Sequence, residues 1–161
     1  MLTSYKIFQN LHGTWSFARK IDNHKVSALS GIVTGTAHFS AITEYQLHYA
    51  ESGIFTTATG AELAVKQEYS YAYSPQSQEI TKYFCREQQN TGLFYELKFN
   101  GANGVNGGTP IGEHLCVRDH YSAQYDFGSK LDFSEFTLTY KVQGPDKDYI
   151  TKTTYARLSL R

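Results

Sequence analysis

The feature that most constrains this chain is a strict period-two alternation at residues 12–21, His-Gly-Thr-Trp-Ser-Phe-Ala-Arg-Lys-Ile. It places Gly13, Trp15, Phe17, Arg19 and Ile21 on one face of a strand, so a guanidinium shares a face with the only tryptophan. Further period-two runs follow, divided by turn-forming clusters at Asp22-Asn23, Glu51-Ser52-Gly53, Thr59-Gly60, Ser74-Pro75, Gln89-Asn90-Thr91-Gly92, Phe127-Gly128 and Gly144-Pro145-Asp146. These runs predict ten strands, at 14–21, 31–42, 43–51, 62–73, 78–86, 93–99, 112–118, 120–127, 133–143 and 148–160. Residues 3–11 read as a short helix, capped by Thr3 or Ser4, with Ile7, Phe8 and Leu11 on one side to lid a barrel end. The segment 100–110, rich in Gly and Asn, reads as a loop.

Ten antiparallel strands in an open sheet would leave two unprotected edges, and closure removes them. The expected fold class is therefore all-β: a single antiparallel barrel of about ten strands with a short N-terminal helix. A barrel of this strand number either is filled by side chains or encloses a small ligand.

With 161 residues, the chain suits one domain, 1–161, around one core. Fifteen Lys plus Arg balance fifteen Asp plus Glu without a run of one sign, which argues against a nucleic-acid partner and against a polybasic membrane contact. Thirteen Tyr and ten Phe against three Pro suit strands lined with flat rings. The N-terminus lacks the apolar run of a signal peptide, and no transmembrane stretch is present. A cytoplasmic protein is expected, with Cys85 and Cys116 both thiols. A homodimer stays open.

Alternation then assigns the lumen. On 43–51 the more apolar face is Tyr45, Leu47 and Tyr49, continued by Glu51; on 62–73 it is Leu63, Val65, Gln67, Tyr69, Tyr71 and Tyr73. His114 and Cys116 share one face of their strand. On the last strand Thr153, Tyr155 and Arg157 oppose Ala156, Leu158 and Leu160, and which face of these two strands turns inward stays open. The lumen is then lined by Trp15, Phe17, Arg19, Phe39, Tyr49, Glu51, Gln67, Tyr69, Tyr71 and His114, joined by Tyr155 and Arg157 if their face turns in. Two guanidiniums against one carboxylate leave excess positive charge in a low-dielectric space, which an acidic ligand relieves. The alternative is that Arg19 closes the barrel end against Trp15 and pairs with Glu51 as a structural bridge.

Four blocks carry a family resemblance: Leu11-His-Gly-Thr-Trp-Ser-Phe-Ala-Arg-Lys-Ile21, Tyr49-Ala-Glu-Ser-Gly53, His114-Leu-Cys-Val-Arg-Asp-His-Tyr121 and Val142-Gln-Gly-Pro-Asp-Lys-Asp-Tyr149. The chain resembles a family of small, mainly bacterial proteins known only as a domain of unknown function, and this implies a lipocalin-like (calycin) barrel. In such barrels a first-strand Trp plugs the closed end with an Arg across it, as Trp15 and Arg19 would. The resemblance singles out His114, Cys116, Asp119, Tyr121, Gly144, Pro145, Lys147, Asp148 and Tyr149. It departs from the family pattern at Tyr95, where a His usually follows Phe94, and at Gln67, where an Arg usually precedes the pair Tyr69 and Tyr71. Tyr155-x-Arg157 resembles, in reverse order, the carboxylate clamp on the final strand of fatty-acid-binding barrels.

Reactive constellations are few. His114 and Cys116 with Cys85 or Asp119 fall short of a four-ligand zinc set, so no metal is expected. Cys116 and His114, two apart on a strand, run parallel and make a poor nucleophilic dyad. Gly144-Pro145-Asp146-Lys147-Asp148 reads as a hairpin turn whose Lys147 and Asp148 need only be solvated surface charges, the alternative being a contact from the rim to a ligand. The functional expectation is non-catalytic binding of a small acidic molecule, partly aromatic or amphipathic. Arg19, Arg157, His114 and Tyr155 would meet its polar end, and Trp15, Phe39, Tyr49, Tyr69 and Tyr71 would form the walls. The rivals are a lyase or isomerase with His114 as base and Tyr121 or Glu51 as acid, a haem-binding barrel using His114, and a filled barrel that binds a partner. The sequence specifies no cofactor.

Overall fold

The alternation at residues 12–21 becomes the strand from which the sheet grows both ways. The structure is a computed structural model that describes residues 3–99, 110–116, 118–128 and 132–159, without the side chains of residues 116 and 159. The helix α1 (Ser4–Leu11) precedes β1 (Gly13–Asn23), and a short helical turn at Ser27–Leu29 leads into β2 (Gly31–Thr43). Then come β3 (Gln46–Thr57), β4 (Glu62–Ser74), β5 (Glu79–Arg86) and β6 (Gln89–Leu97). The remaining strands are β7 (Ile111–Cys116), β8 (Asp119–Asp126), β9 (Glu135–Gln143) and β10 (Asp148–Ser159). All ten form one antiparallel sheet in the order β6-β5-β4-β3-β2-β1-β10-β9-β8-β7. No described helix is long and apolar enough to cross a membrane.

The ends of this order, β6 and β7, almost meet. Among the described residues one backbone bridge joins them, from the Lys98 N–H to the Ile111 carbonyl at 3.3 Å. Side chains close the rest of the seam. The His114 ring stands edge-on to Phe94 and Phe84 at centroid distances of 5.4 and 5.7 Å. Gly112 lies flush against the Tyr95 ring, where a Cβ would come within 2.4 Å of Cδ1.

The other opening is plugged by α1. Thr3 Oγ1 accepts the Lys6 N–H at 3.1 Å and caps the helix, whose Ile7, Phe8 and Leu11 are buried. Trp15 Nε1 donates to the Leu11 carbonyl at 2.9 Å, and its indole meets Phe136 edge-on. The guanidinium that crosses Trp15 belongs to Arg157, 4.1 Å from the ring centroid, and not to Arg19. Arg157 also donates to the carbonyls of Asn10, His12 and Phe133, which satisfies acceptors at the C-terminal end of α1. The unbroken β1–β10 register, running from Asn23 opposite Tyr149 to Trp15 opposite Arg157, sets Arg157 across from Trp15 and so takes it to the plug.

Two expected turns are absent. Glu51-Ser52-Gly53 lies inside β3, and the preceding hairpin turns at residues 44–45. Gly53 is a strand residue because it faces Gly35 across the ladder. A Cβ on Gly35 would sit 2.1 Å from the Ser52 carbonyl oxygen, so these two strands approach too closely for any side chain there. Likewise Gln89-Asn90-Thr91-Gly92 belongs to β6, and the hairpin turns at Glu87 and Gln88, both at positive φ. The loop expected at 100–110 lies outside the described residues except for Pro110.

Gly35→Ala is expected to destabilise the fold by about 1–3 kcal/mol through this clash. Gly92→Ala, with open space around the new methyl, should stay within about 0.5 kcal/mol of the parent in urea denaturation.

Candidate functional site

The inward faces of β1, β3, β4, β5, β9 and β10 leave a cavity of about 380 Å³ inside the barrel. Its polar wall begins with Arg19 on β1. The guanidinium meets Glu51 on β3 fork to fork, Nη1 to Oε2 at 2.9 Å and Nη2 to Oε1 at 2.8 Å, while Nε donates to Thr153 Oγ1 on β10 at 2.8 Å. The Tyr49 hydroxyl donates to the same carboxylate at 2.6 Å and lies 2.9 Å from the Tyr155 hydroxyl. Burial pushes the Glu51 carboxyl up, but the Arg19 hydrogen bonds and charge and the Tyr49 hydroxyl outweigh it and hold the group below the ordinary value. Each charge of the pair is thus answered by the other.

Across the cavity stands Lys82 on β5, 2% exposed. Its ammonium end lies among six aromatic rings, from Tyr69 at 4.0 Å to Tyr49 at 5.9 Å. Among the described residues its one hydrogen bond is to the Tyr140 hydroxyl, at 2.8 Å. From Tyr140 a chain of phenols continues, to Tyr95 at 2.8 Å, then to Tyr125 and on to Tyr71 at 3.1 Å. Burial lifts all four phenols well above the ordinary tyrosine value, so they stay neutral donors and acceptors. Burial likewise pushes the Lys82 amine well below the ordinary lysine value; Glu51 opposes this and Arg19 adds to it.

The remaining walls are flat and apolar. Phe94 lies 5.9 Å from both Tyr69 and Tyr140, ring centroid to ring centroid, at interplanar angles of 29° and 13°. Phe55, Val65, Tyr121, Val142 and Tyr149 surround the space towards the open end, where Gln67 Nε2 donates to the Tyr69 hydroxyl at 2.8 Å.

Of the residues singled out from the sequence, Arg19, Tyr49, Glu51, Tyr69, Tyr121 and Tyr155 line this cavity. Trp15 and Arg157 belong to the plug. Phe39 and Tyr71 pack together at 5.3 Å in the core without reaching the cavity surface. His114 sits in the seam against Phe84, Phe94 and Tyr121. Lys147 donates to the Tyr121 hydroxyl at 3.0 Å and lies 3.7 Å from Asp119, so both back a lining residue. Cys116 has its side chain outside the described residues. The pairing of Tyr155 with Arg157 as one carboxylate clamp does not occur, because Tyr155 turns to Tyr49 and Arg157 to the carbonyls of the plug. The lumen still holds two cations and one carboxylate, but the second cation is Lys82.

Lys82 was legible only through parity: Ile80, Lys82 and Phe84 share a strand face, and Ile80 is buried. Among the described residues one group has metal-ligating reach, His48, Glu68 and Cys85, with ligand atoms within 4.8 Å of one another. It lies apart from the lumen residues. Glu68 there accepts from His48, the free thiol Cys85 and the backbone N–H groups of Glu87 and Gln88, which fixes the β5–β6 turn. These hydrogen bonds, His48 foremost, hold the Glu68 carboxyl down at about 2.

The chain belongs to the Family of unknown function (DUF6314), whose model matches residues 11–157. No curated protein matches it. Its fold is similar to that of the S-type phycobiliprotein lyase CPES from Guillardia theta, at a TM-score of 0.67 and 10% identity over 98% of this chain and 94% of that one. It is also similar to Rv2717c from M. tuberculosis, at a TM-score of 0.51 and 10% identity over 99% of both chains. At such identity the likeness is one of fold, an antiparallel β-barrel, and the chemistry of the lumen is this chain's own.

Glu51→Gln leaves Arg19 unpaired in the barrel and should cost about 2–3 kcal/mol, toward the lower end for a buried pair because Arg19 keeps some exposure. Glu51 is held below its unfolded value, so its stabilisation is present above the ordinary carboxylate range, about pH 4. It is lost as pH falls through the depressed folded value. Urea midpoints of the parent should fall across that window more steeply than those of Glu51→Gln.

Proposed function

We propose that the barrel binds a small, planar, acidic molecule, aromatic or amphipathic, in its lumen without transforming it. The observation that carries this reading is Lys82, a buried amine on the cavity wall whose single hydrogen bond among the described residues goes to a neutral phenol. Arg19 and Glu51 neutralise one another, so a charged Lys82 has no carboxylate in contact with it. A buried ammonium without a counter-ion is costly and sheds its proton. An acid entering the lumen reverses that: it transfers its proton to Lys82, and the resulting anion and ammonium form the missing pair. The enclosed space gains no net charge in the exchange. Tyr69, Phe94 and Tyr140 offer stacking faces to the ligand's flat body. The open end between Gln67 and Tyr121 admits it.

The test compares isosteres by calorimetry and thermal shift. Naphthoate should bind the parent at least tenfold more tightly than naphthyl methanol, which is about 1.4 kcal/mol or more. Lys82→Met should erase that preference while leaving the alcohol bound. It should also keep or raise the unliganded melting temperature, because an apolar chain of similar length replaces an uncompensated amine. Equal binding of acid and alcohol by the parent, or an unchanged acid preference in Lys82→Met, contradicts the proposal.

A further inference from the structure

We infer that Lys82 forms a reversible imine with small conjugated aldehydes and ketones admitted to the lumen. This rests on the lumen accepting small planar molecules, and it adds a covalent step and names carbonyl compounds as a ligand class. Four features of the site support it. The amine lies on the wall of an internal cavity and is held in place by a cage of rings, so its orientation is fixed before a ligand arrives. No carboxylate bonds it, so nothing holds it as an ammonium, and burial favours the neutral form that carries a nucleophilic lone pair. A hydroxyl, that of Tyr140, sits 2.8 Å from Nζ, where it can serve both the amine and an oxygen attached to the same carbon. The stacked planes of Tyr69, Phe94 and Tyr140 favour a flat, conjugated substituent on that carbon.

The step balances without a further reagent. The Nζ lone pair attacks the carbonyl carbon, the C–N bond forms, and the carbonyl π pair moves to oxygen. Tyr140 gives its proton to that oxygen and takes one from Nζ, so it ends unchanged and a carbinolamine is formed. The C–O bond then breaks as the hydroxyl leaves with the second Nζ proton as water, and the nitrogen pair closes the C=N bond. Overall one carbonyl and one amine become one imine and one water, with no change of oxidation state. Behind Tyr140 the Tyr95 hydroxyl, 2.8 Å away, keeps the phenol hydrogen-bonded while its proton is in use. Water returning through the open end reverses the reaction, so the adduct is reversible.

The experiment is reductive trapping on the folded full chain. The protein is incubated with naphthaldehyde at neutral pH, reduced with cyanoborohydride, digested and mapped by mass spectrometry, with thermal shift measured in parallel before reduction. Trapping at Lys82 is expected at least tenfold faster than at any solvent-exposed lysine, including Lys66 at the cavity mouth, and excess naphthoate should suppress it. Lys82→Met should lose that adduct and still bind naphthyl methanol. Tyr140→Phe should slow the saturating rate of trapping at Lys82 several-fold, a loss that more naphthaldehyde does not restore, whereas a tyrosine that only shaped the pocket would move the half-saturating concentration instead. If naphthaldehyde raises the melting temperature but adducts simply follow lysine exposure, the imine is refuted and the lumen binding stands. If none of the three naphthyl compounds shifts the melting temperature, lumen binding and imine fall together.

Discussion

A guanidinium and a carboxylate meeting fork to fork inside a nearly closed sheet set the terms for every other polar group in the lumen. Arg19 uses Nε, Nη1 and Nη2 on Thr153 and Glu51, and Glu51 uses its second acceptance on Tyr49. So engaged, the pair behaves as a neutral unit that ties β1, β3 and β10 together. Lys82 is thereby left as an amine with no carboxylate in contact among the described residues. The phenol chain from Tyr140 to Tyr71 solvates the amine end without neutralising it. An uncompensated amine beside stacked rings is what makes the cavity selective rather than merely hollow.

The fold separates closing the barrel from furnishing it. At the plugged end, α1, Trp15 and Arg157 satisfy one another, so the second guanidinium serves the architecture. At the β6–β7 seam, rings replace ladder hydrogen bonds: His114, the most reactive-looking residue in the sequence, stands edge-on against the stacked Phe84 and Phe94. The plugged end thus absorbs Arg157 and the seam absorbs His114. The middle strands carry the groups that face the cavity.

Strict alternation made most of the architecture readable. The ten strands and α1 follow from period and turn chemistry, and Arg19, Tyr49, Glu51 and Tyr69 follow from strand parity, while the inward face of the last strand stays open until its pairing with β1 is known. Errors arose where composition and geometry conflict. Glu51-Ser52-Gly53 has the composition of a turn, yet Gly53 is small because Gly35 lies directly across from it. Glu87 and Gln88 adopt positive φ in a tight turn that neither residue type advertises, because Glu68 of the neighbouring strand accepts both of their N–H groups. Strand register is invisible in sequence, and the β1–β10 register places Arg157 opposite Trp15 at the plug. Lys82 is hard to read from the sequence because lysine is so rarely buried, although it shares strand parity with Ile80 and Phe84. The phenols that surround it come from β4, β6, β8 and β9, and only the closed barrel brings them together.

The most direct measurement is a pH titration of the Lys82 side chain by heteronuclear NMR, with and without naphthoate, the signal assigned through Lys82→Met. An amine buried without a counter-ion should titrate well below the exposed lysines, and bound naphthoate should carry its midpoint back toward theirs. A Lys82 signal that titrates together with the exposed lysines, and does not move when naphthoate is added, would contradict the account.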